Sequence, residues 1–167
     1  MTLPVFTAGQ KPTAEALNGI YAPTYLTKAA SESVTSSTAL QDDNDLRVAL
    51  EVGTYCIWIW LHASGAAAGD LKVAWNNTGT MTIYRGALGP QSATSDRTAT
   101  TMNVQAISST TAVTYGLDGS GTGVVREDLT VDVTVAGTLK LQWAQGTSSG
   151  TATTLSSASR MLVLPVA

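Results

Sequence analysis

Charge is scarce in this 167-residue chain: nine Lys and Arg and twelve Asp and Glu make up 13% of it, against roughly a quarter in an ordinary globular domain. No run of basic residues occurs, the net charge is -3 and the pI is near 4.9. Nucleic-acid binding needs a basic stripe to displace counterions, so that class is excluded. One cysteine, Cys56, rules out an intrachain disulfide, and its neighbours Ile57 and Trp58 predict a small buried hydrophobe rather than a reactive thiol. One histidine, His62, rules out multi-histidine metal sites. It leaves a Ser-His-Asp arrangement as the single triad to test, with Asp70 as the nearest carboxylate in sequence and no serine in a G-x-S-x-G elbow. The longest apolar run, YCIWIWL, is too short to span a bilayer, and the N-terminus has neither the basic nor the apolar region of a signal peptide. The expectation is synthesis in a cytoplasm, with no membrane contact.

What is present is Thr, Ser, Gly and Ala around short alternating apolar segments. Leu46, Val48 and Leu50 alternate with Arg47 and Ala49, as a half-buried strand requires. In TYCIWIWLHA both phases are apolar: Tyr55, Ile57, Ile59 and Leu61 share one face, and Cys56, Trp58, Trp60 and His62 the other. Such a strand is covered on both sides, or has one face in the core and one in a subunit interface. LKVAWNN, TMTIYRG, TTMNVQAISS, TAVTYGL and RMLVLPV read as further strands, and REDLTVDVTVAGTLKLQWAQ as a hairpin turning at Ala136-Gly137. Eight or more strands at intervals of roughly ten residues predict an all-β, antiparallel β-sandwich of jelly-roll-like form, in one domain over residues 24–167.

Residues 1–23 depart from that pattern. In FTAGQKPTAEALNG, Pro12 cannot continue a strand interior, Thr13 is a good N-cap for the run from Ala14 to Asn18, and Gly19 is a stop. An extended arm with one helical turn is expected, marginal in water and in need of something to pack on. Three other stretches invite chemical readings. The acidic LQDDNDL has carboxylates for Ca²⁺ but lacks the Gly and bidentate Glu of an EF-hand loop, and reads as a solvated turn. Gly119, Gly121 and Gly123 resemble a phosphate loop, yet a strand follows rather than a helix. Asn76-Asn77-Thr78 matches a glycosylation acceptor without a secretory route to use it. Of the four tryptophans, alternation assigns Trp75 and Trp143 to the core and leaves Trp58 and Trp60 as either a covered face or a carbohydrate platform. No catalytic residue, cofactor or metal is assigned.

Three segments carry a resemblance. Phe6 to Asn18 (F-T-A-G-Q-K-x-T-A-x-x-L-N), Ser33 to Leu46 (SVTSSTALQDDNDL) and Leu141 to Leu155 (LQWAQGTSSGTATTL) resemble the opening, interior and C-terminal parts of small accessory virion proteins of tailed bacteriophages infecting actinobacteria. Such proteins usually close on a Trp-bearing strand, where this chain ends SRMLVLPVA. The resemblance implies a non-enzymatic capsid decoration or minor tail protein, homotrimeric, on the virion and made in the host bacterial cytoplasm. Its partners would be copies of itself and the major capsid or tail proteins. On this reading Phe6, Gln10, Pro12, Leu17 and Asn18 anchor the arm, and Trp58 and Trp60 lie in an interface. The alternative is a module of the tail that binds a host-surface glycan through Trp58, Trp60, Tyr84 or Tyr115.

Overall fold

The computed structural model describes residues 8–11, 13, 22–92, 102–119 and 121–166, with the backbone alone for Met102–Ser108. It contains twelve strands among the described residues: β1 (Thr24–Thr27), β2 (Glu32–Val34), β3 (Gln41–Leu50), β4 (Gly53–Ser64), β5 (Leu71–Asn77), β6 (Thr80–Pro90), β7 (Met102–Ser108), β8 (Val113–Tyr115), β9 (Gly123–Val135), β10 (Gly137–Ala144), β11 (Thr153–Leu155) and β12 (Arg160–Pro165). The larger sheet runs β1-β12-β4-β9-β6-β7, with β11 beside β4 and β2 beside β11. The smaller runs β3-β10-β5-β8, and all pairings are antiparallel.

The two sheets stack in a sandwich-like arrangement because each strand is apolar on one phase. Ile57, Ile59 and Leu61 of β4 and Leu129, Val131 and Val133 of β9 meet Leu71, Val73 and Trp75 of β5 and Leu139, Leu141 and Trp143 of β10 in one buried cluster. Burying a side chain of this size stabilises the fold by about 1.5–3 kcal/mol relative to exposure. Trp75 and Trp143 are core residues, as their alternation predicts.

Three expectations are corrected. The first concerns the Ala136-Gly137 hairpin: β9 pairs with β4 and β6 while β10 pairs with β3 and β5, so the chain changes sheets there. A second sheet change, between β5 and β6, packs against it. Gly79 has φ +74°, and a Cβ on it would lie 2.6 Å from the Ala136 carbonyl oxygen. Thr78 N–H donates to Thr138 O at 3.0 Å, and Thr138 N–H donates to Thr78 Oγ1 at 2.9 Å. The second corrected expectation is the acidic turn, which belongs to β3. The register against β10 slips between Lys140 and Gln142, and the resulting irregularity turns Asp43 inward. Its carboxylate receives the Lys28 ammonium at 2.7 Å, and its other oxygen takes the N–H groups of Asp45 and Leu46 at 3.0 and 2.8 Å. Glu32 also accepts from Lys28, at 3.0 Å, so the chain supplies its own cation to this acidic cluster. Thirdly, Cys56 is half-buried on the outer face of β4 rather than in the core, since it shares a phase with Trp58.

Inside the sandwich a second polar cluster joins the sheets. Glu127 of β9 and Arg85 of β6 are both fully covered, with Arg85 Nη2 2.6 Å and Nε 2.9 Å from the two carboxylate oxygens. Trp75 Nε1–H donates to Oε2 and the Tyr115 hydroxyl to Oε1, each at 2.7 Å. Arg85 also donates to the carbonyls of Val73 at 3.1 Å and Thr111 at 2.7 Å. Burial first, and then the negative charge of Glu127, push the Tyr115 phenol far above its ordinary pKa. Every strong hydrogen-bonding group of this cluster is therefore engaged, which is the condition for a buried charge pair to be tolerated.

Candidate functional site on the outer sheet face

The outer face of the larger sheet is built by the phase that the core does not use. Cross-strand register sets Leu162, Trp58, Asp128 and Gly86 in one row, and Leu164, Cys56, Thr130 and Tyr84 in the next. A third row holds Arg160, Trp60, Arg126 and Leu88. Trp58 and Trp60 are half-buried, whereas Tyr84 is 63% exposed.

Gly86 shapes this surface. A Cβ there would meet nothing nearer than the Asp128 carbonyl oxygen at 3.7 Å, so the position is open above the strand. The missing side chain leaves a cleft of about 360 Å³, walled by Trp58, Tyr84 and Cys56 with Asp128 and Thr130 at its side. Arg126 Nε donates to Asp128 Oδ1 at 3.0 Å, and its guanidinium carbon lies 5.9 Å from the centroid of the Trp60 ring. That is cation–π range, so a face of Trp60 is already covered from within the chain while Trp58 faces the cleft.

The expected site residues are distributed as follows. Trp58 and Trp60 share this face, whereas Gln10 is an exposed residue after the turn at Ala8 and Gly9. Phe6, Pro12, Leu17 and Asn18 lie outside the described residues, as does the expected helical turn. Tyr84 is on β6 and forms a wall of the cleft, while Tyr115 is fully buried against Glu127 and is corrected as a stacking residue. His62 stands on the outer face opposite Val124. Asp70 instead turns its carboxylate to the Leu117 N–H at 3.2 Å within the fold, so the His62-Asp70 pairing of a triad is not made. Burial raises the Asp70 carboxyl above its ordinary range, with the Leu117 bond opposing.

Sequence reasoning passed over Gly86, Arg126 and Asp128. The signal was present: an isolated glycine within a strand pattern marks close approach or an opening. Carrying the β9 alternation back from Thr130 puts Arg126 and Asp128 on its phase. Among the described residues, no cluster of three or more metal-ligating side chains is present, and no helix is long and apolar enough to cross a membrane. No family model matches the chain, and neither a curated protein nor a solved structure is significantly similar to it.

Proposed function

We propose that this chain is a non-enzymatic accessory structural protein of a tailed-bacteriophage virion, displayed on the particle as a capsid decoration or minor tail protein. The observation that carries the reading is the resemblance of its opening, interior and C-terminal segments to such proteins. The architecture supports it physically. Two buried ion pairs face inward: Lys28, just after β1 of the larger sheet, clamps to Asp43 of β3 in the smaller, while Arg85 and Glu127, both of the larger sheet, hold the smaller through Trp75 and Tyr115. What remains outside is low in charge, as suits a surface packed beside neighbours.

On this reading the sandwich is a jelly-roll-like body that assembles as a homotrimer, and residues 1–23 anchor it to the shell, to the tail or to an adjacent subunit. The arm carries Phe6, Pro12 and Leu17 among polar residues, apolar side chains suited to docking on such a surface. Many copies of a modest contact then hold the protein on the particle. Deleting residues 1–19 tests this: the truncated chain keeps the far-ultraviolet β-spectrum and cooperative melting of the full chain but is lost from assembled particles. Normal incorporation of the truncated chain would overturn the anchoring role.

A further inference from the structure

We propose that the cleft between Trp58 and Tyr84 is a saccharide subsite, taking one neutral pyranose ring of an oligosaccharide. The proposal stands independently of the virion reading, since it rests on the chemistry of the outer face. An indole presents a partial negative charge on its ring face, and the C–H bonds of a pyranose present a partial positive one. Trp58 supplies that platform facing the cleft, whereas the cation of Arg126 already lies over Trp60.

Orientation requires polar groups beside the stacking face, and they are in place. Directly across from Trp58 is Asp128, whose Oδ1 is held by Arg126. This puts a carboxylate acceptor next to guanidinium donors, the pairing that two vicinal hydroxyls satisfy together. The Arg126 guanidinium offsets the charge of Asp128, which suits a neutral ligand. The cleft's volume of about 360 Å³ is at the lower end of the roughly 300–1,000 Å³ of small-molecule sites, which suits a single ring. Gly86 lines the cleft, and a larger side chain there would project into it.

The test titrates the full-length protein with maltohexaose, cellohexaose, chitohexaose, mannohexaose and a β-galactan oligosaccharide, following the indole N–H resonances by NMR. The expected result is a saturable shift of the Trp58 indole with at least one of them. Trp58→Ala, Asp128→Asn and Gly86→Val each weaken that binding by about tenfold or more, and Trp60→Ala by less than about threefold. Gly86→Val is the decisive variant, because the fold has room for a side chain there and the cleft does not. Its thermal melting should match the parent's. The proposal is overturned if no oligosaccharide of the panel shifts Trp58, or if Gly86→Val binds as the parent does. It is equally overturned if Gly86→Val changes the sedimentation coefficient while no sugar binds, which would make the face a contact between copies of the chain.

Discussion

Replacing Glu127 by Gln removes a charge and exchanges one acceptor for a donor where four donors converge: Trp75 Nε1, Arg85 Nε, Arg85 Nη2 and the Tyr115 hydroxyl. The amide oxygen can keep two of them, but its NH₂ then faces the other two. Arg85 remains charged, with its side chain fully covered. Breaking a buried ion pair from one side costs about 3–5 kcal/mol, a large part of the roughly 5–15 kcal/mol that holds a domain together. With a urea dependence of about 2 kcal/mol per molar, the unfolding midpoint of Glu127→Gln falls by about 2 M. Equilibrium urea unfolding followed by circular dichroism measures it. A double-mutant cycle with Arg85→Met adds the coupling: the double variant loses less than the two singles together, by about 2 kcal/mol. A midpoint shift below about 0.5 M, or additive singles, would refute Arg85-Glu127 as a mutually dependent buried pair.

Three further outcomes are expected. Lys28→Met leaves Asp43 buried without its ammonium, costs about 3 kcal/mol and lowers the melting temperature by about 10 °C; calorimetry checks it, and an unchanged transition would contradict the second clamp. Tyr115 has a raised folded pKa, so its contribution to stability is complete below the ordinary tyrosine pKa of about 10 and is lost as pH rises beyond it. Alkaline unfolding curves of Tyr115→Phe should therefore be flatter than the parent's above about pH 10, and parallel curves would contradict this. Gly79→Ala puts a Cβ against the neighbouring sheet change at a positive φ and costs about 2 kcal/mol or more, whereas Gly86→Ala is close to neutral in the same melts.

Much of the strand content was legible because burial on one face imposes a period of two that the residues obey. β4, β5, β9, β10 and β12 sit close to where alternation puts them, and β6 begins where expected but runs past TMTIYRG to Pro90. Which strands pair was far less legible. β9 and β10 are joined by the single residue Ala136, the spacing of a hairpin, yet a sheet change uses the same short connection. Nothing local to Ala136-Gly137 distinguishes the two; the Thr78-Gly79 backbone, brought there by β5 and β6, settles it.

Polar residues misled for a related reason. Asp43 was assigned to a solvated turn because the cation that lets it be buried, Lys28, is fifteen positions away. Glu127 and Arg85 both fall on the inward phase of their strands, beside Leu129 and Ile83. Read strictly, the alternation would have placed two opposite charges in the core, where each requires the other. The Trp58 face was visible as an apolar phase, but its cleft was not, because it depends on Gly86 lying two strands across from Trp58.

The most direct measurement of the proposed role is the copy number and position of this chain on purified particles of the tailed phage to which that proposal assigns it, by quantitative mass spectrometry with immunogold labelling. The account predicts a fixed number of copies per particle: hundreds over the head for a decoration protein, or a few at the tail for a minor tail protein. A chain abundant in the lysate and missing from the particles would contradict it.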